Sequence, residues 1–202
     1  MPNTDRKIRQ MRSIASEFTT REDGEELTIE GYFAVFNSNY DIAPGMSESV
    51  APGAFSETLA GDIRALVNHD STLVLGRTTA HTLELREDAH GLWGKIAINP
   101  KDGDAMNLYE RVKRGDVNQC SFGFDILDEE SAISDNDDIH WTMKKVELYE
   151  VSCCTFPAYE STNISARSAE RDRIKERQAE AWRTRMKERL KNVKADHVEK
   201  ED

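Results

Sequence analysis

The residue types best suited to nucleophilic chemistry are a serine and a histidine in two short, largely apolar segments. Ser121 lies in the segment NQCSFGF, just after a predicted helix, and His69 closes the apolar strand pattern ALVNH. A serine hydroxyl is a weak nucleophile at neutral pH, and it needs an adjacent imidazole that a third polar group holds in the right tautomer. Taken alone the pair is weak support for an enzyme, because many strand-terminal histidines and turn serines only hydrogen-bond to backbone.

Other groups in the sequence compete less well for this role. Cys120 stands beside Ser121, but strand alternation points the two side chains in opposite directions, and a buried cysteine commonly serves as a small apolar filler. Most aspartates and glutamates fall in turns, where solvated charge is more usual than a glycosidase-type carboxylate pair. The remaining histidines lie at a strand start, in a polar turn, after an acidic run or in a charged tail, which predicts surface positions: His81, His90, His140 and His197.

The composition bounds the class of protein. A chain of 202 residues, 38% apolar and 32% charged, can hold one domain with a modest core and an appended solvated segment. The sequence offers no run near the roughly 18 apolar residues of a spanning helix and no apolar centre of a secretory signal, which predicts a cytoplasmic protein without a membrane partner. The net charge of −11 argues against a nucleic-acid ligand. An odd number of cysteines, two of them adjacent, predicts reduced thiols and no structural metal.

The first half of the chain is patterned mainly as strands. After a flexible segment 1–16, two strands joined by a turn at Asp23-Gly24 open the fold, and the second becomes continuously apolar, which is typical of a central strand. A loop leads into a short helix from Pro52 to Gly61. Further strands are predicted at Ile63–Asn68, Thr82–Glu87 and Leu92–Ile98, with turns at Asp70–Arg77 and Asp88–Gly91.

A helix and two more strand regions complete the predicted domain. The helix begins at an N-cap at Asp104 and ends at Gly115, and it delivers the chain to the strand-like CSFGFDIL. An acidic turn and one or two long strands follow, ended by Pro157. From about residue 165 the chain is rich in Arg, Lys, Glu and Ala, which predicts a long charged helix. We therefore expect a mainly β, α+β domain over residues 17–164 and a helical tail over 165–202.

A series of segments in this sequence resembles the prohead proteases of tailed phages, which mature the capsid. The resemblance covers roughly residues 25–165 and rests on the order of IEGYFAVFN, APGAFSETL, ALVNHDSTLVLGRT, LELREDAHGLWGKI, NQCSFGF and VELYEVSCCTFPAYE. That family is similar to herpesvirus assemblins. The resemblance therefore implies a closed or partly open antiparallel β-barrel ringed by a few helices.

The resemblance also assigns site residues. It implies Ser121 as the nucleophile and His69 as its base, and it replaces the second histidine of assemblins by an acidic residue, Glu150 or, as the competing choice, Glu147. Strand alternation puts these two glutamates on opposite faces, so only one of them can face the imidazole. The turn predicted at Gly76-Arg77 is a candidate for the oxyanion donors, although a plain β-turn explains it as well.

The function implied by the resemblance is that of a serine endopeptidase without a cofactor. Its substrates would be the scaffolding portion of the major capsid protein and finally the enzyme itself, inside the prohead that assembles in the host cytoplasm. By the same resemblance we expect a homo-oligomer, with the charged tail docking on scaffold or shell. The alternatives are a non-enzymatic capsid assembly or scaffolding protein, which would also suit an acidic body and a charged helix, and a fused protease and scaffold.

Overall fold

The computed structural model describes residues 10–15, 18–23, 26–156 and 161–198. The chain divides into two units, Met1–Glu160 and Ser161–Asp202. The described part of the first unit is mainly β, and that of the second is one helix. Within the described residues, no helix is both long enough and apolar enough to cross a membrane.

The elements follow one another in a simple order. The strands are β1 (Gln10–Ala15), β2 (Thr19–Asp23), β3 (Glu26–Val35), β4 (Tyr40–Ala43), β5 (Met46–Val50), β6 (Arg64–Val67), β7 (Asp70–Arg77), β8 (Leu83–Glu87), β9 (Gly91–Ile98), β10 (Gln119–Ile133) and β11 (Ile139–Cys154). The helices are α1 (Gly103–Arg114) and α2 (Ser161–Val198), and a 3₁₀ turn spans Thr78–Ala80.

The described strands form two sheets and no closed barrel. A seven-stranded sheet has the order β1-β10-β11-β5-β4, with β6 also paired to β11 and β7 paired to β6. A four-stranded sheet has the order β2-β3-β9-β8. The mainly β prediction is confirmed, but the pairing is not purely antiparallel, since the two ends of β11 pair in parallel with β5 and with β6.

Buried aromatic side chains fill the core of the first unit. Phe55 is fully buried and lies edge-on to Phe122, with ring centroids 5.5 Å apart, while Phe122 stacks on Phe124 at 4.8 Å. Since Phe122 and Phe124 occupy alternate positions of β10 and bury large apolar areas, they hold one face of that strand against the core. The opposite face of β10 is the one that carries Ser121 and Gly123.

A long hairpin of β10 and β11 is the backbone of the larger sheet. Its turn spans residues 134–138, where Ser134 N donates to Asp138 O and Asp137 has a positive φ of 66°. The acidic segment that was expected to be all turn therefore continues β10 as far as Ile133. The hairpin keeps Ser121 opposite Ser152 and Gly123 opposite Glu150 in its register.

A tight turn between β6 and β7 presents His69. Asn68 and His69 both have positive φ, 50° and 62°, as in the type I′ turns that match the twist of a hairpin. Asn68 is held in place because its N–H donates to Cys153 O at 3.0 Å and its Oδ1 accepts from Thr155 N at 2.8 Å. The prediction of a turn over Asp70–Arg77 is wrong: because the chain reverses within Asn68-His69, those residues form β7.

Two helix predictions need correction. Residues 52–60 form successive turns rather than a helix, since Gly53 has a φ of 87° and most of the backbone bonds span three residues. Helix α1 is capped by Asp102, whose side chain accepts from the N–H groups of Asp104 and Ala105, and not by Asp104. Its C-cap is Gly115 with a φ of 84°, as predicted.

The N-terminal segment also differs from expectation. Residues 10–15 of the segment expected to be flexible form β1, an edge strand antiparallel to β10. The rest of that segment, residues 1–9 and 16, lies outside the described residues, as do Gly24 of the predicted turn and Pro157. Helix α2 begins at Ser161, a few residues earlier than predicted.

The positive φ of Asn68 generates a stability prediction. Asn68→Ala should lower the free energy of unfolding by about 1–2 kcal/mol, because residues other than Gly, Asn and Asp disfavour this conformation and the bond to Thr155 is lost. Urea denaturation measures the change. Asn39→Ala, at an exposed loop position, is the matched control, and equal stability of the two variants would contradict the account.

Candidate active site

One face of the β10–β11 hairpin gathers polar side chains. Ser121 lies opposite Ser152, and Gly123 lies opposite Glu150. Since directly paired residues of antiparallel strands project to the same face, Ser121, Ser152 and Glu150 share one side of the sheet. Ser121 and Ser152 are both fully buried, and Glu150 is 4% exposed.

His69 reaches the same face from the β6–β7 turn. Its Nδ1 lies 2.6 Å from Glu150 Oε1, and the two side chains are 18% and 5% exposed. A carboxylate at Nδ1 accepts a hydrogen bond from the N–H of that nitrogen, and Nε2 is then the proton acceptor of the ring. The structure therefore brings His69 to Glu150, the pairing expected of a base and the group that orients it.

Ser152, which was not a candidate in the sequence analysis, completes this pairing. Its Oγ donates to Glu150 Oε2 at 2.6 Å and accepts from the backbone N–H of His69 at 3.2 Å. Both carboxylate oxygens of Glu150 thus have partners. The serine joins the turn that carries the histidine to the strand that carries the glutamate, as outer-shell hydrogen bonds do in other sites.

Gly123 leaves the space that the carboxylate occupies. A Cβ at this position would collide with Glu150 Oε1, and also approach the Glu150 Cγ and Cδ to 3.1 Å. A glycine inside a strand often marks such a close approach. A glycine inside the SFGF strand therefore indicates a close approach, although the sequence does not show that the approaching group is Glu150.

Ser121 makes its hydrogen bond to the N-terminal strand. Its Oγ donates to the carbonyl oxygen of Arg12 at 2.9 Å, and Ser13 is its register partner in β1. A hydroxyl has one proton, so in this arrangement that proton is given to Arg12 and not to His69. Strand β1 thus occupies the sheet edge beside the serine.

Cys154 is the sulfur closest to the imidazole. Its Sγ lies 3.8 Å from His69 Nε2. Burial, with a smaller contribution from the negative charge of Glu150, raises the pKa of the Cys154 thiol to about 12. Because a thiolate is the reactive form, this thiol is a poor nucleophile at neutral pH. The other rival, Cys120, turns its Sγ toward Tyr32 O and Phe33 O and is fully buried in the core, as alternation predicts.

An open cleft lies outside the imidazole. It has a volume of about 340 Å³ and is lined by Asn68, His69, Cys154, Thr155 and Phe156. The Phe156 side chain is exposed. The cleft opens the His69 side chain, which is 18% exposed, to solvent.

Three other predicted site residues lie elsewhere. Glu147 is exposed and pairs with Asp125, and a register shift between Gly123 and Phe124 breaks the alternation that was expected to place it on the face opposite Glu150. The carboxylate at His69 Nδ1 is that of Glu150. Gly76 and Arg77 belong to β7, which β6 and β11 separate from β10, and Arg77 is ion-paired with Asp62. The structure therefore does not bring the candidate oxyanion turn to Ser121.

The remaining histidines are scattered over the described surface. His81 and His90 are exposed, and the His90 ring lies edge-on to Tyr32. His140 is less exposed than predicted, since Ser47 Oγ and Ser49 Oγ lie 2.9 and 2.8 Å from its two ring nitrogens. The side chain of His197 lies outside the described residues.

Comparison with known proteins places the chain in a family. The chain is 30% identical over 148 residues to the prohead protease of Enterobacteria phage HK97, an alignment covering 71% of this chain and 61% of that protein, so it spans about three-fifths of the relative's length. The structure of the bacteriophage T4 capsid assembly protease matches in fold, with a TM-score of 0.50 at 10% identity over 74% of this chain and 98% of that one. The model of the caudovirus prohead serine protease family matches residues 15–177, and the chain therefore belongs to that family.

Proposed function

We propose that this chain is a serine endopeptidase in which Ser121 is the nucleophile, His69 the base and Glu150 the residue that orients the base. The observation that carries the proposal is the 2.6 Å contact between His69 Nδ1 and Glu150 Oε1, on the sheet face that also carries Ser121. Membership of a serine protease family supports the same assignment. Glu147 is set aside because it is exposed, and the carboxylate within hydrogen-bond distance of His69 Nδ1 is that of Glu150.

The proposed reaction is ordinary acyl transfer. His69 Nε2 takes the Ser121 proton as Oγ attacks the carbonyl carbon of a peptide, and the protonated ring then gives that proton to the leaving amine. Water hydrolyses the resulting ester and restores the hydroxyl. Glu150 holds the tautomer and stabilises the imidazolium that forms, while Ser152 keeps the carboxylate in place.

A peptide substrate would bind as an added strand. Strand β1 occupies the edge of β10 beside Ser121 through backbone pairing from Gln10↔Phe124 to Ala15↔Gln119. Backbone pairing of this kind accepts many sequences, so an extended segment of another chain can take the same place when β1 leaves. The buried Ser121 then belongs to a latent state of the enzyme.

The proposed substrates are the scaffolding portion of the major capsid protein and the enzyme itself, inside the prohead that assembles in the host cytoplasm. The names of the relatives, a prohead protease and a capsid assembly protease, support this setting. We also propose a homo-oligomer, as the resemblance to assemblins implies. Helix α2 is charged and largely exposed, with Trp182 62% exposed, which suits docking on scaffold or shell.

The nucleophile assignment is testable by two substitutions. Ser121→Ala should lower cleavage of the co-expressed capsid protein by at least about 10³-fold, because no other activated nucleophile is available at the site. Cys154→Ala should keep cleavage within a few-fold of wild type. Intact-mass spectrometry of the capsid protein follows both. Full processing by Ser121→Ala would instead support the scaffolding protein, and loss only in Cys154→Ala would favour a thiol enzyme.

The close approach at Gly123 gives a positioning test. Gly123→Ala should lower kcat by about 10–100-fold with little change in KM, because the new methyl group displaces the Glu150 carboxylate from His69. The matched control is Gly103→Ala, where nothing lies within 4 Å of the added atom. Similar kcat values for the two alanine variants would contradict the proposed role of Glu150.

A further inference from the structure

The side chain of Arg12 lies in a buried, negatively charged pocket. Arg12 is 8% exposed, and its Nε is ion-paired with Oε1 of Glu48, a β5 residue that is fully buried. The guanidinium also lies 5.7 Å from the centroid of the Phe124 ring. A buried carboxylate below an aromatic face is a site that suits a planar cation.

The same residue presents its carbonyl to Ser121. Alternation along β1 sends the Arg12 side chain to the core face, while its carbonyl oxygen accepts the Ser121 hydroxyl at 2.9 Å. The peptide bond beside the nucleophile is therefore the one between Arg12 and Ser13. The residue that precedes this bond is the one whose side chain Glu48 holds.

Electrostatics make the pocket selective. Removing one partner from a buried ion pair leaves a buried charge uncompensated, which is strongly unfavourable. When β1 leaves, Glu48 loses the cation that Arg12 supplies, and an incoming strand with an arginine or lysine at the same register restores it. A strand with an apolar or acidic residue there does not.

We propose that Glu48 is the specificity-determining carboxylate of this protease, and that it selects a basic residue immediately before the scissile bond. The first such bond is Arg12–Ser13 of the chain itself. One water is consumed, and a carboxylate forms on Arg12 and an amine on Ser13. This inference rests on the proposed protease function and adds a substrate class to it.

The first test follows cleavage of the full chain during co-expression with the capsid protein. Intact-mass spectrometry should find residues 13–202 as a product of wild type and Arg12→Lys. Arg12→Met should form that product at least about 10-fold more slowly, since the pocket then lacks the cation that pairs with Glu48 in wild type. Arg21→Met, which changes the same charge at a side chain 72% exposed, is the control and should behave as wild type.

The second test uses peptides and the same purified chains. A peptide spanning residues 8–17 should be cleaved after Arg12 at least about 10-fold faster in kcat/KM than the same peptide with Met at that position. Glu48→Gln should remove most of this preference, whereas Glu57→Gln, at an exposed position, should retain it. Thermal unfolding of both variants checks that Glu48→Gln is folded. The Arg12 variants test the same pocket while leaving Glu48 unchanged.

The outcomes separate the two levels of the account. Capsid protein cut only after residues that are not basic, with Arg12–Ser13 intact, would overturn the specificity inference and leave the protease proposal standing. An equal preference in Glu48→Gln and wild type would overturn it as well. Absence of all cleavage by wild type would overturn both.

Discussion

The contact between His69 and Glu150 is the constraint on which the site depends. A carboxylate that is 5% exposed is costly to bury unless its oxygens have partners. Here the imidazole Nδ1 and the Ser152 hydroxyl are those partners, and Gly123 leaves the space that the carboxylate occupies. The tight turn at Asn68-His69 exists in a conformation that most residues avoid, and its hydrogen bonds to the end of β11 hold it there. The hairpin of β10 and β11 then places Ser121 on the same face.

Strand β1 links Ser121 to a second buried group. Its hydroxyl is occupied by the Arg12 carbonyl, and the side chain of Arg12 is anchored to Glu48 on the other face of the strand. One edge strand thus engages both the proposed nucleophile and the buried carboxylate. Under the proposed function, removal of β1 exposes both groups together, which links activation of the enzyme to its choice of substrate.

The sequence carried part of this picture. Ser121, His69 and Glu150 stood in recognisable segments. The choice between Glu150 and Glu147 could not be read from alternation, because the register shift between Gly123 and Phe124 breaks that alternation in β11. Most strand positions were also readable, because apolar alternation sets them. The turn predicted at Gly76-Arg77 is not present, because the chain reverses at Asn68-His69 and those two residues belong to β7.

The contacts that sequence reasoning missed are those that depend on register. Ser152 and Gly123 belong to the site only because β10 and β11 pair at Ser121↔Ser152 and Gly123↔Glu150. Arg12 and Glu48 are far apart in the chain, and nothing local indicates that their charges are buried together. A segment that looked polar and basic, and was expected to be flexible, proved to include a strand beside the serine.

The most direct measurement is covalent labelling of the nucleophile during prohead assembly. A fluorophosphonate probe added while the capsid protein is being processed should form an adduct that peptide mass spectrometry locates on Ser121. The adduct should be lost in His69→Ala and strongly reduced in Glu150→Gln. An adduct on another residue, or full labelling of Ser121 in His69→Ala, would contradict the proposed coupling of serine, histidine and glutamate.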